Sequence, residues 1–327
     1  RVAPQQTAAV VLPLAPETLP ADGELLLNVE YRLCDVEPLL APDHRVAYQQ
    51  FTLRAAAPEP LAVAERMADR HNSIGTLTVR DDDRNYLIVE SPAARIDFRR
   101  ADGLITRYEA DGMRLLDAGA VVEPNFWRAP TDNDGNISEK WKEAQLHHAM
   151  VRVYESSAWQ RQDGWSVRMH FSMAGVSRQK FFEGNVEWKI GNDGSLGWYV
   201  EGGIDQTFPF LPRFGLRFGV DRSWNQVSYY GYGPQESYCD KHRGSRLDVF
   251  TQTVEEMHED YLKPQENGNH FGTRWVHLEQ MPDVGFTSRG AQPFEFGISE
   301  YTREELERKK HAFELEKSDF LTVYFND

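Results

Sequence analysis

Turn dipeptides set between short apolar runs constrain the fold of this chain more than any other feature. From Tyr86 onward, candidate strands at 86–90, 95–99, 104–109 and 113–116 surround Asp102-Gly103 and Asp111-Gly112. The same grammar returns at 167–173, 186–190, Asn192-Asp193-Gly194, 196–201, 214–220 and 320–325. Asp-Gly suits the tight type I′ hairpin, whose two central residues both need positive φ. Alternation within each run puts the apolar side chains on one face. The region after Tyr86 is therefore expected to be an antiparallel meander. An earlier strand is marked by Leu27, Val29, Tyr31 and Leu33 alternating with Asn28, Glu30 and Arg32, and a second spans 46–53. The Ala/Pro-rich stretch 55–64 reads as a connector, which places a boundary near residue 60 and two domains at 1–60 and 61–327. Residues 61–70 fit neither a helical nor a strand template and stay unassigned. Asn136 with Glu139 predicts a capped helix over 137–150, with Ile137, Trp141 and Ala144 on one face; Thr302 with Glu305 predicts another over 306–311.

The chain's 327 residues suit about two domains, and 40% apolar with 27% charged residues is ordinary for a globular protein. No window reaches the roughly 18 consecutive apolar residues of a membrane helix. A formal charge of −15 without a long Lys/Arg block argues against nucleic acid and anionic membranes as partners and favours a neutral ligand. Cys34 and Cys239 are far apart and match no disulfide or metal spacing, so both read as free thiols, with the compartment left open between cytoplasm and periplasm. The chain opens at Arg1 with neither initiator Met nor signal peptide and is expected to be part of something longer.

Chemistry concentrates in a few segments. Pro124-Asn125-Phe126-Trp127-Arg128-Ala129-Pro130-Thr131-Asp132-Asn133-Asp134 combines stiffening prolines, anchoring aromatics and an Asx-rich turn, the composition of a rigidly held surface loop. Within it, Trp127 and Arg128 face either ligand or core, and a core-facing Arg128 needs a buried carboxylate such as Asp132 or Asp134. The segments 229–240, with Glu236 and Tyr238, and 261–270, with Glu266 and Asn267, again set carboxylates and amides beside aromatic rings. That mixture suits a sugar, whose CH faces stack on rings while its hydroxyls take polar partners. Glu236 and Glu266 are candidates for a glycosidase pair, which would stand about 5–5.5 Å apart for retention or about 6.5–9.5 Å for inversion. The competing reading makes each a turn-stabilising residue that touches no substrate. The candidate contact residues are thus Trp127, Arg128, Asp132, Asn133, Asp134, Asn136, Glu236, Tyr238, Glu266 and Asn267.

Other patterns carry less. Asp132-x-Asp134-x-Asn136 imitates a calcium loop, but Ile137 stands where such a loop needs glycine. Gly231-x-Gly233 is a turn rather than a dinucleotide fingerprint. Asn136-Ile137-Ser138 fits a glycosylation sequon and implies nothing without a secretory context. His147, His148 and His311 lack metal-ligand partners at useful spacing, so no metal site is expected.

Four blocks in order over about 200 residues resemble the C-terminal small-chain domain of glycoside hydrolase family 2 β-galactosidases: 124–134; 231–240 with Arg243; 261–268 with Arg274-Trp275; and 299–315 with Tyr301, Leu306 and His311. The earlier part of the chain, with Pro38-Leu39-Leu40, His44 and Val46-Ala47-Tyr48-Gln49-Gln50-Phe51, is similar to the second half of the immunoglobulin-like sandwich that precedes that domain. The resemblance implies an all-β fold: a partial immunoglobulin-like sandwich, then a large antiparallel super-sandwich like that of galactose mutarotases. It implies a parent enzyme that hydrolyses terminal β-D-galactosides with retention, using two glutamates and a magnesium ion held in a (β/α)₈ barrel. A barrel of roughly 250 residues does not fit here, so no catalytic residue and no cofactor are expected in this segment. The implied partners are a galactoside, the catalytic barrel of the same protein, and further copies in a homo-oligomer. The family pattern runs on past 320–325 into a glycine-rich loop with a sugar-stacking tryptophan, beyond Asp327. Residues 135–141 would remain near the mouth of the barrel. The alternative is a stand-alone galactose-binding or mutarotase-like module, which would need a His and Glu pair in one cleft.

Overall fold

The computed structural model describes residues 2–12, 19–55, 75–116, 119–282 and 284–326. The chain divides into two compact units, Arg1–Pro60 and Leu61–Asp327. The stretch 61–70, and 55–64 beyond its first residue, lie outside the described residues.

In the first unit, β1 (Leu25–Arg32) pairs antiparallel with β2 (Arg45–Arg54). Leu27 stands opposite Phe51, Val29 opposite Gln49 and Tyr31 opposite Ala47, so the expected alternation gathers an apolar face. Arg32 closes the base of the connection, reaching Glu30 at 2.6 Å and Asp43 at 2.8 Å.

Among the described residues, the second unit is built of three antiparallel sheets. A sequential meander joins β3 (Thr78–Arg80), β4 (Tyr86–Ser91), β5 (Ala94–Arg99), β6 (Ile105–Ala110) and β7 (Met113–Arg114). After β8 (Glu123–Asn125) comes a second meander of β9 (Met150–Gln160), β10 (Gly164–Ala174), β11 (Lys180–Gly191) and β12 (Leu196–Ile204). The third sheet contains β13 (Gly215–Asp221), β14 (Gln226–Gly233), β15 (Arg246–Thr253), β16 (Asn269–Met281), β17 (Val284–Ser299) and β18 (Phe320–Asn326). Its order, β15-β14-β16-β17-β18-β13-β8, brings β8 back beside β13. One hydrophobic core runs through all three sheets, from Phe98 through Met169 and Trp188 to Val220, Val276 and Val323. Phe126, just past β8, packs its ring against Phe181, Phe182 and Phe214 at 5.2–5.8 Å, which ties the second and third sheets together. The fold is all-β, as expected. No helix among the described residues is long and apolar enough to cross a membrane.

The turns need one correction. Asp111 and Gly112 both have positive φ, +51° and +74°, as a type I′ turn requires. At Asp102-Gly103 and Asn192-Asp193-Gly194 only the glycine does. These are longer loops in which the aspartate acts through its side chain, with Asp102 accepting from Leu104 N at 3.3 Å and Asp193 from Ser195 N at 2.9 Å.

The first helix is also shorter than the sequence predicts, and the second is of the predicted length but begins three residues earlier. α1 covers Ile137–Glu143, a separate 3₁₀ turn covers Leu146–His148, and Met150 already belongs to β9. Gln145, at φ +58°, breaks the helix. Asn136 makes no capping bond, because the preceding 3₁₀ turn Asp132–Asp134 hands it over in helical conformation. Ile137, Trp141 and Ala144 nevertheless face the core together. α2 covers Arg303–Arg308, with Thr302 Oγ1 accepting from Glu305 N at 3.1 Å, so its cap forms as predicted. His311 lies beyond that helix and begins another 3₁₀ turn.

His270 on β16 is a buried ring between Tyr229, 4.4 Å away, and Phe296, 5.1 Å away. Its Nδ1 donates to the Tyr232 carbonyl at 3.1 Å. Burial lowers its pKa to about 4. Because the folded value lies below the unfolded one of about 6.5, protons bind the unfolded chain preferentially as the pH falls between them. The stability that His270 contributes is complete above that window and declines through it, by up to ~3 kcal/mol. Denaturant unfolding followed between about pH 7 and pH 4 should give a flatter profile for His270→Gln than for the parent chain.

Candidate functional site

β8 ends at Asn125, and the chain then plunges inward. Trp127 is 2% exposed and Ala129 is fully buried. Trp127 Nε1 donates to Glu307 Oε2 at 3.0 Å, and its ring meets Trp141 edge-on at 6.0 Å and His147 at 5.4 Å. Trp127 thus faces the core. Arg128 forks onto Asp134, through Nε at 3.2 Å and Nη2 at 2.8 Å, and its guanidinium lies 5.9 Å from the Trp141 ring centre. Asp134, itself buried, also accepts from Thr131 N at 2.9 Å. Of the two carboxylates weighed for Arg128, Asp134 is the partner. Asp132 points to solvent with Lys263 Nζ 3.5 Å away, and Asn133 and Asn136 are exposed beside it.

Residues 261–268 lie directly against this loop. Glu266 N donates to Ala129 O at 3.2 Å, and Asp132 N donates to Gln265 Oε1 at 3.0 Å. The Glu266 carboxylate meets Arg213 Nη2 at 2.5 Å, with the two side chains only 7% and 5% exposed. Burial opposes the charge on Arg213, but Glu266 outweighs it and raises the guanidinium pKa. Asn267 folds back on its own loop, accepting from Glu259 N at 3.2 Å and donating to Gln265 O at 2.9 Å. Gly268 turns the chain into β16 at φ +70°, where a Cβ would stand 2.7 Å from Met257 O.

The third segment joins through Glu236. Its buried carboxylate accepts from the Lys241 ammonium, the Tyr261 hydroxyl and, at 3.0 Å, Gly268 N. The Tyr238 hydroxyl lies 3.5 Å from Glu236 Oε2. Burial first, then the charges of Glu266 and Glu236, push the Tyr238 phenol well above its usual pKa, so it stays protonated as a donor.

The structure therefore brings all ten sequence-derived candidates into one neighbourhood and divides them. Trp127, Asp134, Glu236 and Glu266 are buried and occupied by protein partners, while Arg128, Tyr238 and Asn267 are half-buried within the same bonds. Asp132, Asn133 and Asn136 reach solvent. Among the described residues, no group of three or more His, Cys, Asp or Glu is gathered as a metal centre. The His147 and His148 rings lie 4.0 Å apart, tilted by 39°, and His311 stacks on Phe313 at 5.3 Å.

Sequence reasoning missed Arg213, Lys241 and Glu307. Arg213 closes a stretch with Phe208, Pro209, Phe210, Leu211 and Pro212 whose proline-aromatic-arginine make-up matches the 124–134 loop, and that likeness was the available signal. Lys241 directly follows the 229–240 segment. Glu307 carries no such mark, because only the tertiary fold brings it to Trp127 Nε1.

An all-β domain that clamps three polar loops together with buried ion pairs is the class defined by this fold and site. The family model described as β-galactosidase small chain matches residues 90–326. The chain is 33% identical to a β-galactosidase of Actinobacillus pleuropneumoniae over 314 residues, covering 96% of this chain and 30% of that protein. It is 29% identical to one of Priestia megaterium, covering 99% and 30%, and 28% identical to one of Halalkalibacterium halodurans, covering 98% and 31%. The chain belongs to the β-galactosidase small-chain family and spans about 30% of the length of these relatives.

Removing one partner of a buried ion pair leaves the other charge uncompensated, at a cost of about 3–5 kcal/mol. Glu266→Gln should therefore lower unfolding stability by roughly that amount in denaturant titrations, whereas Asp132→Asn at the exposed, weakly paired position should change it by under about 1 kcal/mol.

Proposed function

We propose that this chain is the C-terminal part of a glycoside hydrolase family 2 β-galactosidase that cleaves terminal β-D-galactosides with retention. In that enzyme it supports the mouth of the active site and the assembly of a homo-oligomer. The nucleophile, the acid/base and the magnesium ion belong to a barrel elsewhere in the protein, and this segment alone is inactive.

The observation that carries this reading is the state of the two best carboxylate candidates. Glu266 is neutralised by Arg213 at 2.5 Å and Glu236 by Lys241, and both are buried. A glycosidase pair needs one carboxyl free to give up a proton and another free to attack or to activate water. Carboxylates held by cations and backbone amides serve instead to fix loops. The same donor set does not suit magnesium, a hard cation that takes carboxylates and water rather than oxygens already committed to Arg and Lys. The polar groups left for a neutral sugar are those at the loop surface: Asp132, Asn133 and Asn136, the last at the start of α1. All the relatives named above are β-galactosidases about three times as long as the part matched, which leaves room for a separate catalytic domain.

Hydrolysis of a chromogenic β-galactoside by the 327-residue chain alone, at high concentration with magnesium, is the direct test. No turnover is expected, and activity should appear only with the barrel-bearing part. Turnover by the chain alone that disappears in Glu236→Gln or Glu266→Gln would overturn the assignment and place the catalytic carboxylates here. Galactose binding by the isolated chain, without any complementation, would favour the stand-alone module.

A further inference from the structure

A cavity of about 310 Å³ opens where residues from all three sheets of the second unit come together. Its polar wall is Asp102 in the turn after β5, Glu123 of β8, His147 in the 3₁₀ turn before β9 and Arg303 at the start of α2. Its apolar wall includes Phe126, Leu146 and Met173, all buried, with the 56% exposed Met150 marking the rim. The volume falls at the lower end of the range of about 300–1,000 Å³ for small-molecule sites, which likewise combine apolar walls with a few polar groups.

Three of the polar side chains carry atoms that the protein does not use. Glu123 meets Arg217 through Oε1 alone, at 2.6 Å from Nε and 2.5 Å from Nη2, so its Oε2 has no partner among the described residues. Arg303 donates from Nε to Glu304 and from Nη1 to Asn125 Oδ1 and Trp127 O, which leaves Nη2 without a partner among the described residues. The His147 ring makes no hydrogen bond with the described residues, and its Nδ1 is buried in that state, which is rare for a polar atom in a folded protein. Burial, then the neighbouring His148, lower the His147 pKa, so at pH 7 the ring is neutral and carries one donor and one acceptor nitrogen.

The charges around the cavity are compensated locally: Asp102 by Arg99 at 2.7 Å, Glu123 by Arg217, and Arg303 by Glu304 at 3.0 Å. No net charge therefore draws in an ion, yet donors and acceptors line the same space as apolar surface. Hydroxyl groups on a carbon frame match that mixture, because each both donates and accepts. We propose that this cavity binds a neutral polyhydroxy compound of monosaccharide size, with its hydroxyls on Glu123 Oε2, Arg303 Nη2 and the His147 ring and its C–H groups against the apolar wall. The site goes beyond the function proposed above and does not depend on it.

Isothermal titration calorimetry of the 327-residue chain with galactose, glucose and sorbitol, and with gluconate as the charged control, tests this. At least one of the three neutral compounds should bind saturably at millimolar concentration, and gluconate should not. His147→Phe keeps a ring against Trp127 and removes the unpartnered nitrogen, so it should not lower the melting temperature. It should weaken binding by roughly fivefold, the worth of one hydrogen bond. Met150→Trp, at an exposed position, should obstruct the rim and abolish binding without breaking a buried pair. Absence of saturable binding by all three compounds, equal binding of gluconate, or binding that both variants leave intact would overturn the site. Binding that both variants weaken, by a chain that also restores hydrolysis to the barrel-bearing part, would support the site and the proposed function together. The same binding without complementation would support the site and sink the proposed function instead.

Discussion

The buried pair between Arg213 and Glu266 is the contact on which the rest of the site depends. Arg213 stands just ahead of β13 and Glu266 just ahead of β16, so a single charge-assisted bond joins the entries to two strands of the seven-stranded sheet. Glu266 also donates its backbone N–H to Ala129, which fixes the loop after β8 to the same point. Desolvating two charges is costly, and such a pair survives in a core only where geometry and neighbours satisfy it. Here the return is positional: three segments far apart in sequence are held in one arrangement. Arg128 with Asp134, and Glu236 with Lys241 and Tyr261, repeat that device on either side.

The clustering explains why residue types alone were ambiguous. Aromatic rings beside carboxylates describe a sugar site, and they describe equally well a folded loop whose acids are bound by arginine and lysine. What separates the two is whether the carboxylate has a cation of its own, and that partner is 53 residues distant for Glu266 but only five for Glu236. The near partner could have been weighed from the sequence, since Lys241 sits one residue past the segment of interest. The distant one could not, because nothing local links Arg213 to Glu266.

The same division runs through the fold. Strand positions were legible because alternation is a local signal, and Asp111-Gly112 closes its hairpin as its composition suggests. Asp102-Gly103 does not, because the Asp102 side chain takes over part of the turn's hydrogen bonding and the loop lengthens. The Asn136/Glu139 capping pattern and the face shared by Ile137, Trp141 and Ala144 predict a helix reaching Met150, yet β9 needs Met150 opposite Ala174, and Gln145 adopts a left-handed conformation that ends the helix early. Trp127 was legible as an anchor from its flanking prolines and neighbours; that Glu307 would satisfy its indole was not. Local pattern thus locates strands and rigid loops, while the partners that decide their chemistry come from tertiary pairing.

The strand order of the third sheet has a kinetic meaning. Gly215 of β13 stands opposite both Asn125 of β8 and Asn326 of β18, and the two asparagine side chains bond to each other at 3.3 Å across 201 residues of sequence. The two meanders need only neighbouring strands and can close early, but the seat of β8 is complete only when the last described strand arrives. Loop closure over such distances is slow compared with hairpin formation. The 124–134 loop is therefore among the last parts of the second unit to reach its final environment during synthesis. Phe126 can meet Phe181, Phe182 and Phe214 before β18 is made, whereas the Trp127 indole gains its partner only with Glu307.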